Sequence, residues 1–334
     1  VSHSSPSPRH FRACVWLFLA TAFWGLSFPF IKSIWTLQQQ LVPEASTVFL
    51  AAAGATIRFG VAALIMALFC ARSLRNITRL EWEEGALLGL FGGLGIVVQM
   101  DGLAHTDASV SAFLTQFYCL LIPIWVALRR HAWPKPIVVV SSIMVLAGVA
   151  VLARIDWRTF ELGRGEAETL LAAFFFAGQM LLLERPRYAP NRVATFTVIM
   201  FSATALLLAP LALILAPSGR ALVNAYRSPD VALLMAGVVV FCTLGAYTLM
   251  NTWQPHVTAT EAGLIYCVEP LFASVFALVL PGWISSVAGI NYPNETLTVS
   301  LLVGGGLITS ANVVMQVNAM RQKRRGAHAP SIPP

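Results

Sequence analysis

Charge is scarce in this sequence. Only 11% of its 334 residues are Asp, Glu, Lys or Arg, against about a quarter in a soluble protein. That deficit, with 57% hydrophobic residues, excludes a soluble enzyme, a disordered chain and a secreted disulfide scaffold. Cysteine is sparse as well. Cys14, Cys70, Cys119, Cys242 and Cys267 all sit inside apolar runs, with no CxxC pair. They read as small packed hydrophobes, not as disulfides or metal ligands. The six histidines fall at the tails or at the ends of apolar runs, without metal-ligand clustering. HExxH, Walker and Rossmann patterns are absent. Gly25-Leu26-Ser27-Phe28 lacks the last glycine of a nucleophile elbow. The expectation is therefore no enzyme, no metal and no cofactor. Uphill work would draw on a gradient or an exchange, not on ATP.

What the sequence has instead is long apolar runs. Helices are predicted near 13–35, 46–71, 83–104, 107–128, 136–153, 167–184, 193–216, 231–252, 259–281 and 298–320. Ten spans of about 20 residues use roughly 200 positions and leave only short loops and tails. Arg9 and Arg12 precede the first run, which continues past Ala20-Thr21-Ala22 to Ile31. A retained span is expected there, not a cleaved signal.

The net charge of +7 comes mostly from basic residues beside the apolar runs. This reads as topology control, not as nucleic-acid binding. With both termini cytoplasmic, fifteen Arg and Lys residues fall inside, and five fall outside: Arg154, Arg158, Arg164, Arg220 and Arg227. The expected location is a multi-pass position in a plasma membrane, the inner one in a bacterium. The basic run Arg321–Arg325 would touch anionic lipid.

The two halves carry a faint repeat. Aligning Gly25 with Gly178 pairs Phe23 with Phe176, Ala20 with Ala173 and Lys32 with Arg185. The segment from Ala108 through Ala112-Phe113-Leu114 to Pro123 resembles that from Ala259 through Ala262-Gly263-Leu264 to Pro270. Five spans per half would insert the halves in opposite orientations, a transporter arrangement with its site near the midplane. The predicted units are an N-terminal tail over 1–12, a first repeat over 13–153, a second over 166–320 and a basic tail over 321–334.

Several of these motifs, in this order, resemble EamA-type proteins of the drug/metabolite transporter superfamily. Phe23-Trp24-Gly25-Leu26-Ser27-Phe28 with Lys32 is similar to their opening helix. Thr106-Asp107-Ala108-Ser109, followed by Ala112-Phe113-Leu114-Thr115, Tyr118 and Pro123, is similar to their fourth. Thr258-Ala259-Thr260-Glu261-Ala262 leading to Glu269-Pro270-Leu271-Phe272-Ala273 is similar to their ninth, and Gly304-Gly305-Gly306-Leu307-Ile308 to the start of their last. The resemblance implies ten helices in two inverted five-helix repeats around a central cavity. It also implies transport of small metabolites, commonly efflux. The sequence departs from the pattern twice. Arg129-Arg130-His131 stands where an acidic residue usually closes the fourth helix. The segment 282–294 is longer than the usual link before the last helix.

Charged and polar residues within apolar runs are the candidate site. Glu269 is placed about ten residues into the ninth span, roughly 15 Å deep. A carboxyl there is costly unless it meets a cavity, a partner or a proton, so proton coupling is a candidate role. Its alternative is a structural hydrogen bond. Arg58, mid-way through the second span, would bind a substrate anion or pair permanently with a carboxylate such as Glu269. Lys32 reads as an interfacial anchor, with Asp101 as a plausible partner. Trp24, Gln99, Gln116, Tyr118, Gln179, Tyr247, Asn251 and Tyr266 lie at intermediate depth, and some of them are expected to line the cavity. Pro29, Pro123 and Pro270 are candidate hinges. Asn294-Glu295-Thr296 matches a glycosylation acceptor. The resulting expectation is a metabolite exporter working by alternating access. A flippase for lipid-linked intermediates and a channel are the rivals.

Overall fold

A computed structural model describes residues 8–129, 131, 136–152, 163–257, 262, 265–266 and 268–327. Among these residues all regular structure is helical and no strand occurs. The first half contains α1 (Pro8–Leu41), α2 (Thr47–Phe69), α3 (Arg79–Ala104), α4 (Ala108–Thr115), α5 (Tyr118–Arg129) and α6 (Pro136–Leu152). The second contains α7 (Arg164–Leu183), α8 (Val193–Ile214), the short α9 (Ala221–Ala225), α10 (Pro229–Gly237), α11 (Ala246–Trp253), α12 (Glu269–Ala288) and α13 (Val299–Ala327). A π-helical stretch, Val238–Gly245, joins α10 to α11 without a break.

Helix starts follow local chemistry. Ser46 caps α2 by accepting from the Phe49 amide at 3.1 Å. Thr78 opens α3 with a reciprocal capping box. Its hydroxyl accepts from the Glu81 amide at 3.2 Å, and its own amide donates to Glu81 Oε2 at 2.8 Å. Ser228 and Pro229 start α10. Gly289, at φ 65°, ends α12 in the left-handed region.

Seven helical stretches of the described chain are long and apolar enough to cross a bilayer. They run over Arg9–Leu41, Thr47–Phe69, Arg79–Ala104, Arg164–Leu183, Val193–Ile214, Pro229–His256 and Glu269–Ala288. This is a multi-pass, all-α membrane protein. Its outer surface agrees. Leu64, Leu68 and Phe69 on α2, Leu206, Leu213 and Ile214 on α8, and Val275, Val279 and Trp283 on α12 are all exposed. Apolar surface on this scale belongs against acyl chains.

Element boundaries differ from expectation in the fourth, first and last runs. The fourth run, 107–128, is two helices separated at Gln116 and Phe117. In the ninth run Ala262, Ile265 and Tyr266 are helical, α12 follows from Glu269, and 258–261, 263–264 and 267 lie outside the described residues. The first helix begins at Pro8 and the last reaches Ala327. The side chains of the basic run 321–325 and most of the loop 154–165 also lie outside the described residues.

The bundle centres on α3, which packs against α7 and α8. Beside it α2 packs on α8, α1 on α12, and α6 on α13. Small residues set these distances. A Cβ on Gly89 of α3 would stand 2.7 Å from both Ala203 Cβ and the Met200 carbonyl of α8. A Cβ on Gly25 of α1 would stand 2.7 Å from Phe272 Cβ and 2.9 Å from the Ala273 amide of α12. Backbones approach at these seams only because no side chain intervenes.

Paired charges pin both ends of α3. At its start Glu81 pairs with Arg192 at 2.6 Å. Glu83 pairs with Arg187 and accepts from the Tyr188 hydroxyl at 2.8 Å. Glu84 accepts from Asn191 at 2.7 Å. Burial, and then the Glu83 carboxylate, push the Tyr188 phenol above its ordinary range. At the other end Asp101 pairs with Arg164, which also meets Glu168 at 2.8 Å. The expected pairing of Asp101 with Lys32 is therefore corrected. Arg164, at the start of α7, lies against the last turns of α3 and takes the carboxylate.

Candidate binding cavity

The elements converge on one buried cavity of about 60 Å³. Trp24, Ser27 and Phe28 of α1 form one wall, with Arg58 of α2 beside them. Ile96 and Gln99 of α3, Thr115 of α4 and Tyr118 of α5 form a second wall. Phe176, Gln179 and Met180 of α7, Tyr247 and Met250 of α11, Tyr266, and Glu269 of α12 complete the lining.

Arg58 is 2% exposed. Its Nε donates to Thr243 Oγ1 at 2.5 Å and its Nη2 to the Cys242 carbonyl at 2.9 Å. Both acceptors belong to the π-helical stretch, where Thr243 Oγ1 itself donates to the Val238 carbonyl five residues back, at 3.0 Å. Such wide turns redirect backbone and side-chain oxygens and are frequent at functional sites. The guanidinium also lies over the Phe59 ring, 5.2 Å from its centroid. No carboxylate pairs with Arg58 among the described residues. Of the two alternatives for Arg58, the permanent pair with Glu269 is not formed among the described residues; Thr243 and the Cys242 carbonyl accept from the guanidinium instead.

Glu269 opens α12, so its carboxylate stands at a helix N-terminus, where negative charge is favoured. Its Oε2 accepts from Gln116 Nε2 at 3.0 Å. Gln116 lies in the break between α4 and α5, so two helix interruptions meet at this bond. Pro270 follows in the first turn of α12, where its missing N–H removes no intrahelical bond. Pro29 lies inside α1 and Pro123 inside α5.

Aromatic rings close the cavity. Trp24 meets Tyr266 edge-on at 5.2 Å and Tyr247 at 5.7 Å between centroids. Tyr266 donates to Gln254 Oε1 at 3.0 Å. Trp24 Nε1 is buried without an acceptor among the described residues. Gln99 donates to Thr115 Oγ1 at 2.8 Å. Gln179 fills the space above Gly92, where a Cβ would stand 2.7 Å from its Nε2.

Of the residues singled out by depth in the sequence, Trp24, Arg58, Gln99, Tyr118, Gln179, Tyr247, Tyr266 and Glu269 line this cavity. Gln116 stands behind the wall as the partner of Glu269. Asn251 does not line it; it donates to Thr197 Oγ1 at 2.9 Å. Thr115 and Thr243 were missed. A lone threonine in an apolar run is the only signal either leaves, and a role for Thr243 depends on the π-helical turn.

The comparisons with known proteins agree with this architecture. Residues 11–154 match the EamA-like transporter family. This stretch is similar to EamA-like transporters. An uncharacterized transporter of Archaeoglobus fulgidus is 24% identical over 269 residues, which cover 79% of this chain and 76% of that protein. One solved crystal structure of a protein aligns over 94% of this chain and 99% of its own, with a TM-score of 0.59 and 18% identity. At that identity the likeness is one of fold. The resemblance drawn from the motifs thus agrees with the match over the first half of the chain.

Proposed function

We propose that this protein is a transporter that exports small amphipathic metabolites by alternating access, with the cavity between Arg58 and Glu269 as its substrate site. The observation that carries the proposal is charge without a counter-charge. Arg58 and Glu269 line one buried cavity, and each has only neutral hydrogen-bond partners among the described residues. Maintaining a charge in a bilayer interior is costly, so such groups mark substrate or ion paths. Arg58 suits a carboxylate or phosphate, the Trp24–Tyr247–Tyr266 rings suit an apolar body, and Glu269 suits an exchangeable proton.

The helix breaks support two inverted repeats. Tyr118 starts α5 and Glu269 starts α12, 151 positions apart, the same offset as Ala108 from Ala259. Both half-helices begin at the cavity, so two N-termini face an anionic ligand there. At about 60 Å³ the cavity has room for a few waters, while metabolite sites need roughly 300 Å³ or more. Substrate entry therefore requires the bundle to open, as rocking of two halves would allow.

The test uses purified protein in liposomes loaded with amino acids, nucleosides, sugars and their derivatives, under an imposed pH gradient. Mass spectrometry identifies what leaves. The expected result is a compound with an anionic end, whose gradient-driven export is lost in Glu269→Gln while its exchange persists. Equal export by both proteins would make Glu269 structural. Flux insensitive to substrate on the opposite side would indicate a channel.

A further inference from the structure

Arg58 borders two cavities. Besides the central one it lines a second, of about 20 Å³, among the last turns of α1 and α3 and the first half of α2. The wall includes Trp35 and Gln38 of α1, Gly54 of α2, Met100 of α3 and Met235 of α10. The segments 31–38, 50–58 and 235–238 that build it are described throughout. Gly54 supplies the room. A Cβ there would stand 2.9 Å from Met100 Cε and 3.5 Å from the Tyr226 hydroxyl. Tyr226, from the turn before α10, thus reaches the wall behind Gly54.

The polar groups around this space are donors without acceptors. Trp35 Nε1, Gln38 Nε2 and the Tyr226 hydroxyl are each buried, and none makes a hydrogen bond among the described residues. Gln38 is 2% exposed. It lies beside Tyr226 without reaching hydrogen-bond geometry. Arg58 spends its Nε and Nη2 on Thr243 and Cys242, while its Nη1 has no hydrogen bond among the described residues. Arginine and tryptophan side chains can only donate. The guanidinium keeps its charge at this depth, and no carboxylate lines the second cavity among the described residues. Buried donors left unmatched are costly, and a buried charge with no counter-charge more so.

We propose that this cavity binds one monatomic anion, a chloride in the cell, as a counter-ion to Arg58, with Trp35 Nε1 and Gln38 Nε2 as its further donors. The volume suits one water-sized particle and excludes a metabolite. A water would bring no charge, and two hydrogens of its own, to a wall already rich in donors. A halide accepts from every donor and offsets the guanidinium. Met100 and Met235 are flexible enough to yield the few tenths of an ångström by which chloride exceeds water. The site rests on the charge of Arg58, not on the reading of the central cavity as a substrate site.

The experiment is equilibrium binding of radiolabelled chloride to the full chain in nanodiscs, with gluconate holding the ionic strength constant and neither substrate nor pH gradient present. The expected result is saturable binding that bromide displaces. It should weaken on the order of 10-fold in Gln38→Leu and in Trp35→Phe, as for loss of one hydrogen bond to a charged group. Tyr188→Phe, at the opposite end of α3, should bind as wild type. Thermal melting establishes that each variant is folded. A second readout needs no variant. Bromide quenches a tryptophan that it touches, so wild-type fluorescence should show a saturable component that chloride competes away. Absence of saturable binding would leave a water in the cavity and overturn the proposal. Wild-type affinity in both folded variants, or quenching that only rises linearly with bromide, would overturn it as well. A failed transport assay would not, since binding is read without transport.

Discussion

At the start of α3 each carboxylate has met a cation or an amide: Glu81 has Arg192, Glu83 has Arg187 and Glu84 has Asn191. In the central cavity Arg58 and Glu269 have met only neutral groups. The two regions draw on the same few residue types and spend them differently. Where charges are mutually satisfied, they fasten helices, and their removal should loosen the bundle. Where they are solvated by dipoles alone, as Arg58 is by Thr243 and Cys242, the charge stays available to an incoming group.

The strongest test of this contrast is Arg58→Gln. Substrate affinity in a transport assay should fall on the order of 100-fold, with little change in melting temperature, as for loss of a buried charge-assisted contact. A collapsed fold with no transport defect in the surviving fraction would reverse the reading. Arg192→Leu should do the opposite. Transport by the folded protein should persist, while the melting temperature drops by several degrees and detergent tolerance declines. A transport defect at full stability would place Arg192 in the translocation path instead.

Smaller effects sharpen the picture. Thr78→Ala removes the capping hydroxyl of α3 and should cost about 1 kcal/mol of stability, read by reversible denaturation. Gln at position 78 would not restore it, because its side chain is too long to reach the third amide of the helix. The smallest effect is expected at Tyr188. Its phenol is held above the ordinary range, so its contribution is present below the unfolded pKa near 10 and is lost as pH rises through the folded value. Melting temperature measured from pH 8 to 11 should decline at the alkaline end, and less so in Tyr188→Phe.

Much of this was legible in the residue order. Arg58 and Glu269 stand out because a charge inside an apolar run has few places to go. Depth marked each of them as a candidate, and the structure shows them lining one cavity. Their partners were not legible. The sequence left Arg58 either to an anion or to a carboxylate such as Glu269, whereas the π-helical stretch Val238–Gly245 supplies neutral oxygens to the guanidinium. Nothing in Val238-Val239-Val240-Phe241-Cys242-Thr243 distinguishes a wide turn from an ordinary one. Lys32 and Asp101 were joined for the same reason, and Arg164 from a distant helix intervened. The break at Gln116-Phe117 carries neither glycine nor proline, so an unbroken helix was the natural expectation. By contrast, the length of the segment 282–294 was visible, although its first part continues α12 to Ala288. Its return along the helix was not, since the Ala277 carbonyl, which Pro281 cannot bond, and the Glu295 amide meet only in three dimensions.

The seam at Gly25 has a mechanical side. A Cβ there would also stand 3.2 Å from the Glu269 carbonyl, so α1 and α12 touch backbone to backbone at the level of the cavity. Trp24 is the next residue on one side of that contact, and Glu269 lies on the other. A bearing this narrow has almost no lever arm. Tilting one helix over the other would swing their far ends widely while Trp24 and Glu269 barely part. Under the proposed alternating access, the jaws would stay in register with their cargo as the two mouths of the bundle trade places.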